Sequence, residues 1–130
     1  MAKFAPNSTL DGLLEQIALA DEMYVTSGQP TSYADLGDSV DILVGPISLT
    51  PGDGNGDFTI GDGDVSGRKI TISAQNGASV VASGDADHVV LAIGGSTDVL
   101  RYVTTCTEQT LTQGNTANVA AWDVEIEAPQ

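Results

Sequence analysis

An acidic, glycine-rich segment holds the residues that most resemble a metal-binding site. The oxygen-bearing side chains of Asp53, Asn55, Asp57 and Asp64 stand at positions 1, 3, 5 and 12 of residues 53–64. EF-hand and dockerin calcium loops place ligands at these positions, because Ca²⁺ binds several hard oxygen atoms at once. The spacing therefore makes calcium the candidate ligand of this segment.

Two features depart from the calcium-loop pattern. Position 6 is Phe58, where the loop needs a glycine for its sharp turn. The residues from Arg68 onward alternate like a strand, whereas a calcium loop leads into a helix. The alternative is an acidic turn that connects two elements in solvent. The sequence leaves both interpretations open, and we assign no metal ligand, cofactor or catalytic residue.

The only histidine, His88, and the only cysteine, Cys106, have no visible connection to each other. A cysteine nucleophile needs a nearby base, and a histidine without companion ligands is not typical of a metal site. We interpret Cys106 as a buried strand residue and His88 as structural or exposed. No familiar catalytic motif occurs, so we expect the protein not to be an enzyme.

The charge balance restricts the partners. Eighteen acidic and four basic residues give a net charge of −14 over 130 residues. Phosphate groups and anionic membranes attract Lys and Arg, so we expect neither nucleic acid nor membrane as a partner. The charge favours solubility, and the functional alternative is a partner with a basic or mixed face, or bound cations. Arg68 and Lys69 lie near Asp62 and Asp64 in the sequence, which predicts local charge pairing.

The chain shows no targeting or membrane-spanning signal. The opening MAKFAP lacks the apolar region of a signal peptide, and no run approaches the ~20 apolar residues of a membrane span. We therefore expect a soluble protein that is made in a cytoplasm. A single cysteine also excludes a disulfide within the chain.

One helix is predicted near the N-terminus, over residues 8–20. Its apolar residues follow the spacing i, i+3, i+4, i+7 of one helix face, namely Leu10, Leu13, Leu14 and Ile17. Ser8 is the predicted N-cap, and Asp11 stands near the acidic position of a capping box.

The rest of the chain reads as strands separated by turns. Alternation and β-branched content predict strands at 23–27, 40–49, 58–60, 68–74, 78–82, 88–93, 98–107 and 116–127. Residues 31–36 form a predicted helical turn capped by Thr31 or Ser32. Gly45-Pro46 predicts a bulge, a bend or an edge position. Asn76-Gly77 predicts a hairpin between strands 68–74 and 78–82, and turns are predicted at 84–87, 94–96 and 113–115.

This pattern predicts a mainly β fold, either a small β-sandwich or a barrel, with one N-terminal α-helix. The length suits a single domain over residues 1–130. An arm and the helix occupy 1–22, and the β-sandwich occupies 23–130. Tyr102 and Trp122 lie on predicted strands and are expected to be core or interface anchors.

Several segments, taken in order, resemble a family of small virion structural proteins of tailed bacteriophages. They are FAPNSTLDGLLEQI at 4–17, MYVTSGQPTSYAD at 23–35, GDGDVSGRKITI at 61–72, YVTTCT at 102–107 and WDVEI at 122–126. The similarity extends along nearly the whole chain, and the order and spacing of the segments carry it.

The resemblance implies a capsid decoration, or cement, protein that binds the outside of the major capsid shell and stabilises it. It implies two partners, the major capsid protein and other copies of this chain, and a location on the capsid exterior after synthesis in the host cytoplasm. It implies no catalytic residues. A tail, neck or fibre-associated structural module is the alternative, and a calcium-dependent carbohydrate-binding module is a third possibility. The helix or the N-terminal arm is the expected docking or oligomerisation element.

Overall fold

In the computed structural model, which describes residues 6–95 and 97–127, strands dominate and the one α-helix stands at the N-terminal end. Strands make up 54% and helical residues 12%, which confirms the predicted mainly β class with one N-terminal helix. The antiparallel sheets pack as a small β-sandwich. The elements are α1 (Asn7–Ile17), β1 (Glu22–Ser27), a 3-10 turn (Tyr33–Asp35), β2 (Asp41–Ser48), β3 (Phe58–Asp62), β4 (Arg68–Ile72), β5 (Gln75–Ser79), β6 (Gly84–Ile93), β7 (Val99–Leu111), β8 (Thr116–Val119) and β9 (Trp122–Ile126).

The sandwich has one continuous layer and one divided layer. The continuous layer is a four-stranded sheet in the order β2-β1-β6-β7. The divided layer consists of a three-stranded sheet, β3-β4-β9, and a two-stranded sheet, β5-β8. Each part of the divided layer buries its own apolar cluster against the continuous layer.

The larger cluster joins the three-stranded sheet to the continuous layer and to the helix. Phe58, Ile70 and Ile72 are fully buried and contribute the side of β3 and β4. Met23 and Leu91 face them from β1 and β6 and are also fully buried. The alternation of Ile70 and Ile72 follows the period of two expected for a strand with one buried face. Removal of this apolar surface from water is the main driving force for closing the two layers.

The continuous layer is covered on both faces. Val25 and Val44 pack toward the two-stranded sheet. On the opposite face, Tyr24 and Val90 pack beneath Tyr33, the first residue of the 3-10 turn. Burial on both faces explains why β6 reads as a nearly continuous apolar run and not as an alternating one.

The helix is shorter than predicted and begins differently. It spans Asn7–Ile17 and not residues 8–20, its N-cap is Pro6, and no side chain caps it. The predicted Ser8 cap and Asp11 capping box are therefore wrong. The buried face holds Leu10, Leu14 and Ile17, whereas Leu13 is 58% exposed, so the predicted stripe is narrower by one residue. Packing against β3, β4 and β7 stabilises α1 in place of a cap.

The hairpin predicted at Asn76-Gly77 is wrong. Both residues lie inside β5, which pairs with β8, while β4 pairs with β3 and β9. The β5–β8 register advances by three residues on one strand and two on the other between Gln75 and Ala78. Gly77 has a φ of +71°. A β-bulge uses the same left-handed glycine that a tight hairpin turn uses, so the local signal fits both structures.

Two further boundaries differ from the prediction. Residues 84–87 are not a turn, because β6 begins at Gly84 and pairs with Leu111 of β7. Residues 116–127 are not one strand, since Ala120 and Ala121 are not in strand conformation and separate two strands. The segment before the break, β8, pairs with β5, and the segment after it, β9, pairs with β4. The chain therefore passes from the two-stranded to the three-stranded sheet at a point where the alternating sequence pattern had predicted one continuous strand.

Other local predictions are confirmed. The strand at 58–60 is present within β3, and residues 113–115 are irregular and leave β7. Gly45-Pro46 lies on β2, an edge strand with irregular register against β1, so both the bulge and the edge position occur. A Cβ on Gly45 would lie 2.8 Å from the carbonyl oxygen of Met23, which requires glycine there. The short helical turn predicted at 31–36 is present as the 3-10 turn, after Ser32.

Parts of some predictions lie outside the described residues. These parts are the arm at residues 1–5, Ser96 of the predicted turn at 94–96, and the end of the sandwich segment at 128–130. The division into 1–22 and 23–130 stays a prediction, although α1 contributes Leu14 to the main core. Among the described residues, no helix has the length and apolar character needed to cross a membrane.

Replacement of Phe58 by alanine tests the importance of the larger cluster. Phe58 is fully buried, so Phe58→Ala removes a large apolar side chain and leaves a cavity. We expect the free energy of unfolding to fall by about 3–5 kcal/mol in urea titrations. Val65 is 82% exposed, and Val65→Ala should change it by no more than about 0.5 kcal/mol. Equal losses in the two variants would contradict this description of the core.

Candidate functional site

The side chains of the candidate calcium loop are each engaged in a separate interaction. Asp53 accepts a hydrogen bond from the backbone N–H of Ile60 at 2.9 Å. Asn55 donates its side-chain N–H to the carbonyl oxygen of Pro51 at 2.8 Å. Asp64 forms an ion pair with Lys69 at 2.7 Å. These contacts fix the turns of the segment individually and do not bring the side chains together around a common centre.

Asp57 is the most firmly held of these residues. Its carboxylate accepts hydrogen bonds from the Ser73 hydroxyl at 2.6 Å, the Thr50 backbone N–H at 2.7 Å and the Gln75 amide at 3.2 Å. The bond from Ser73 is the main cause that lowers the pKa of Asp57, and the bond from Thr50 lowers it further. Asp57 thus connects the segments on either side of β3 and β4.

No metal centre is assembled by the acidic groups of the described residues. Within residues 6–95 and 97–127, no group of three or more His, Cys, Asp or Glu side chains has an arrangement that could hold a metal ion. The spacing of Asp53, Asn55, Asp57 and Asp64 matches a calcium loop in sequence, but Phe58 is turned into the core at the position of the required glycine.

The predicted charge pairing of Arg68 and Lys69 is present. Arg68 Nη1 lies 2.7 Å from Asp62 Oδ1, and Lys69 Nζ lies 2.7 Å from Asp64 Oδ1. The sequence did not predict a further partner of Arg68, Asp11 of the helix, whose Oδ1 lies 2.7 Å from Arg68 Nε. Hydrogen bonds with Asp11, and next with Asp62, raise the pKa of Arg68. This contact joins α1 to β4 across the sequence.

His88 is tied to the neighbouring aspartate. Its Nδ1 lies 2.7 Å from Asp87 Oδ1, and the same oxygen accepts the Gly28 backbone N–H at 2.8 Å. The contact with His88 is the largest cause that lowers the pKa of Asp87. The pair connects β6 to the end of β1. His88 is also the Cα partner of Thr105 on β7, so the partly buried Cys106 lies next to this pair in the sheet.

A cluster of two tyrosines and a glutamate was missed by the sequence reasoning. Tyr24 and Tyr33 donate hydrogen bonds to Glu22 Oε1 at 2.8 and 3.0 Å, and their hydroxyl oxygens lie 3.2 Å apart. Burial is the main cause that raises the pKa of Tyr24. Glu22 and Tyr24 share one face of β1, which was the available signal. The cluster attaches the 3-10 turn to the continuous layer.

The described residues form an open cleft of about 680 Å³ between the two layers. It is bordered by β7 on one side and by β8 and β9 on the other, and Cys106 and Trp122 line it. The rings of Tyr102 and Trp122 stack with centroids 6.1 Å apart. The indole Nε1 of Trp122 is buried and has no hydrogen-bond partner among the described residues. Burial, and then the charge of Asp87, raise the pKa of the Cys106 thiol.

The cleft has the shape and lining of a ligand-binding site, whereas the side chains of the acidic loop are each engaged in contacts within the fold. Mixed polar and apolar lining with one aromatic anchor is typical of binding clefts. The sequence reasoning correctly placed Tyr102 and Trp122 on strands but did not bring their strands together. The alternating pattern continues through Ala120 and Ala121, so nothing in the sequence indicated that the strand is interrupted there.

Replacement of Asp57 by asparagine tests its role as a structural acceptor. The amide nitrogen of asparagine cannot accept a hydrogen bond, so one of the Ser73 and Thr50 donors loses its partner. We expect Asp57→Asn to lower the free energy of unfolding by about 1–3 kcal/mol near neutral pH. Urea titration measures this loss, and Asp38→Asn, at an exposed position, serves as the matched control.

The same variant should change the pH dependence of stability. Because the folded pKa of Asp57 is lowered, its contribution is present above the unfolded pKa of about 3.9 and is lost as the pH falls through the folded pKa. Asp57→Asn should therefore remove part of the loss of stability below about pH 4. An unchanged acid dependence in the variant would contradict the assignment.

Calcium addition tests whether the loop gathers a cation. Since Asp53, Asn55, Asp57 and Asp64 are engaged separately, we expect the melting temperature to be the same in calcium and in chelator. A site with a Kd near 1 mM would stabilise the fold by about 1.4 kcal/mol at 10 mM calcium. A concentration-dependent rise that Asp53→Asn abolishes would overturn the expectation.

Comparisons with known proteins give the chain no family. No protein-family model, no curated protein and no solved structure matches it.

Proposed function

We propose that this protein is a virion structural protein of a tailed bacteriophage, and that it decorates the outside of the major capsid shell and stabilises it. The proposal draws on the resemblance of its segments to small phage virion proteins. The observation that carries it furthest is the acidic surface around a well-packed sandwich. Such a surface suits a protein that stays soluble in many copies and then binds a partner with basic faces.

Two of the three described basic residues pair with carboxylates within the fold. Arg68 pairs with Asp11 and Asp62, and Lys69 lies between Asp64 and Asp123. Arg101 donates from Nη1 to the neutral amide of Gln16 at 3.3 Å, and its Nε is buried without a hydrogen-bond partner among the described residues. The fourth basic residue, Lys3, lies outside the described residues. The charges of Arg68 and Lys69 are therefore paired within the fold, and most of the acidic groups have no basic partner among the described residues.

The helix offers a face for docking. Leu13 is 58% exposed and Leu19, just beyond α1, is 45% exposed, although both are large apolar residues. Exposed apolar side chains mark an interaction site where they form one patch. In the proposed role, α1 contacts the shell or a neighbouring copy, and the acidic surface around it directs the encounter.

The location and number of copies in the particle test the role. A particle reconstruction should show symmetry-related copies on the outer surface of the head, and purified heads that carry them should resist heating better than heads without them. Occupancy should fall at high salt, because ionic screening weakens the attraction between acidic and basic faces. Density confined to the tail, neck or fibre would favour the alternative location, and absence from the particle would overturn the proposal.

Substitution on the helix identifies the docking face. We expect Leu13→Ser to reduce occupancy on the heads, whereas Val65→Ser, which places the same residue at a more exposed apolar position, should leave it unchanged. Deletion of residues 1–7 examines the arm in the same assay. Full occupancy after the deletion would exclude the arm as the docking element, and equal occupancy of both serine variants would exclude the helix face.

A further inference from the structure

Three strand edges border the cleft between the layers. In residues 6–95 and 97–127, β7, β8 and β9 each pair on one side only. The cleft is lined by consecutive residues, 104–107 of β7 and 116–123 of β8 and β9. Neighbouring side chains of a strand point to opposite faces, so lining by consecutive residues brings the cleft to the edge of the strand. Val25, Ala86 and Val89 place its floor on the inner face of the continuous layer. The backbone of these edges is therefore available at the cleft.

The dimensions fit one extended polypeptide segment. The lining part of β7 runs from Thr104 to Leu111, which spans about 26 Å in an extended strand. The volume of about 680 Å³ lies within the range of binding clefts, about 300–1,000 Å³. Ala120 and Ala121 on the opposite wall are exposed and small, so they leave room beside the edge. A peptide that adds a strand to a free edge gains main-chain hydrogen bonds along its length.

The surroundings of the cleft are acidic. Asp123 lines it, and Glu108 stands between two lining residues of β7. Asp87 acts electrostatically on Cys106 inside the cleft. The nearby positive charge of Lys69 is shared between Asp64 and Asp123. Together with the net charge of −14, these carboxylates make a basic segment a better electrostatic match for the cleft than an acidic one.

From these observations we propose that the cleft is a binding site for an extended, basic segment of a partner protein, which adds a strand along β7. Main-chain pairing supplies affinity, and the carboxylates select positive charge. A second copy of this chain is a poorer occupant, because each copy carries a net charge of −14. The site is distinct from the exposed face of α1 and does not depend on a role in a virion.

A synthetic peptide tests the proposal with the purified full-length protein. The probe is Lys-Val-Thr-Val-Thr-Val-Lys, and its two controls replace both lysines by glutamate or the central valine by proline, which cannot donate to a ladder. Trp122 is the only tryptophan and lines the cleft, so its fluorescence reports occupancy. The lysine peptide should give a saturable change that weakens at high salt, and the controls should bind at least about tenfold more weakly.

Matched variants locate the site. Ala121→Arg fills the cleft and adds a positive charge, and it should weaken binding of the lysine peptide at least about tenfold. Ala34→Arg makes the same change at an exposed position on the 3-10 turn and should leave binding unchanged. In the wild-type protein, the peptide should also slow the reaction of Cys106 with a thiol reagent. That readout needs no substitution, so it applies even if Ala121→Arg fails to fold.

Three results would overturn the proposal. The first is no saturable change with the lysine peptide, and the second is equal binding of the glutamate peptide. The third is self-association, in which fluorescence of the free protein changes with its own concentration and sedimentation shows a dimer that Ala121→Arg abolishes. That result would assign the cleft to a second copy. Because the assay contains no particle, a negative result does not alter the outcome of the head-occupancy test.

Discussion

Phe58 lies fully buried between the two layers at the first residue of β3, and the acidic loop before it has to deliver it there. Asp57 receives hydrogen bonds from Thr50 before the loop and from Ser73 after β4, so it closes the chain around the aromatic side chain. Asp53 accepts the backbone N–H of Ile60 and fixes the start of the strand. The carboxylates that resemble calcium ligands in the sequence hold the core residue in place, and the phenyl ring occupies the position that a calcium loop reserves for glycine.

Alternation of apolar residues predicted the strands well, because burial of one face is a local property of the sequence. Pairing partners were harder to predict, since the same local signal serves different structures. The glycine of Asn76-Gly77 adopts a left-handed conformation, as a hairpin would require, but it does so in a bulge of β5. The period of two also continues through Ala120 and Ala121, where the chain leaves one sheet for another. The interruption is set by pairing with strands that are distant in sequence, because β8 pairs with β5 and β9 pairs with β4.

In the candidate sites too, contacts between residues close in sequence could be predicted, and contacts between distant residues could not. The pairing of Arg68 with Asp62 could be predicted because the residues are neighbours on the chain, whereas the contact with Asp11 depends on where the helix packs. Leu13 was predicted to be buried with the rest of its stripe, but a helix on the rim of a sandwich buries a narrower face. The cleft could not be predicted from sequence, since it exists only where β7, β8 and β9 approach one another in space.

In the part of the chain that the structure describes, β7, β8 and β9 each have one unpaired edge, and all three strands border the cleft. Free edges promote aggregation, and proteins protect them with charged side chains. Glu108 and Asp123 supply that protection here, because a second acidic chain that approaches β7 meets like charges. The same carboxylates lower the energy of a basic segment in the same place. At this edge, like charge disfavours pairing with a second β7 edge, and in the binding proposed above the same charge favours a segment of opposite sign.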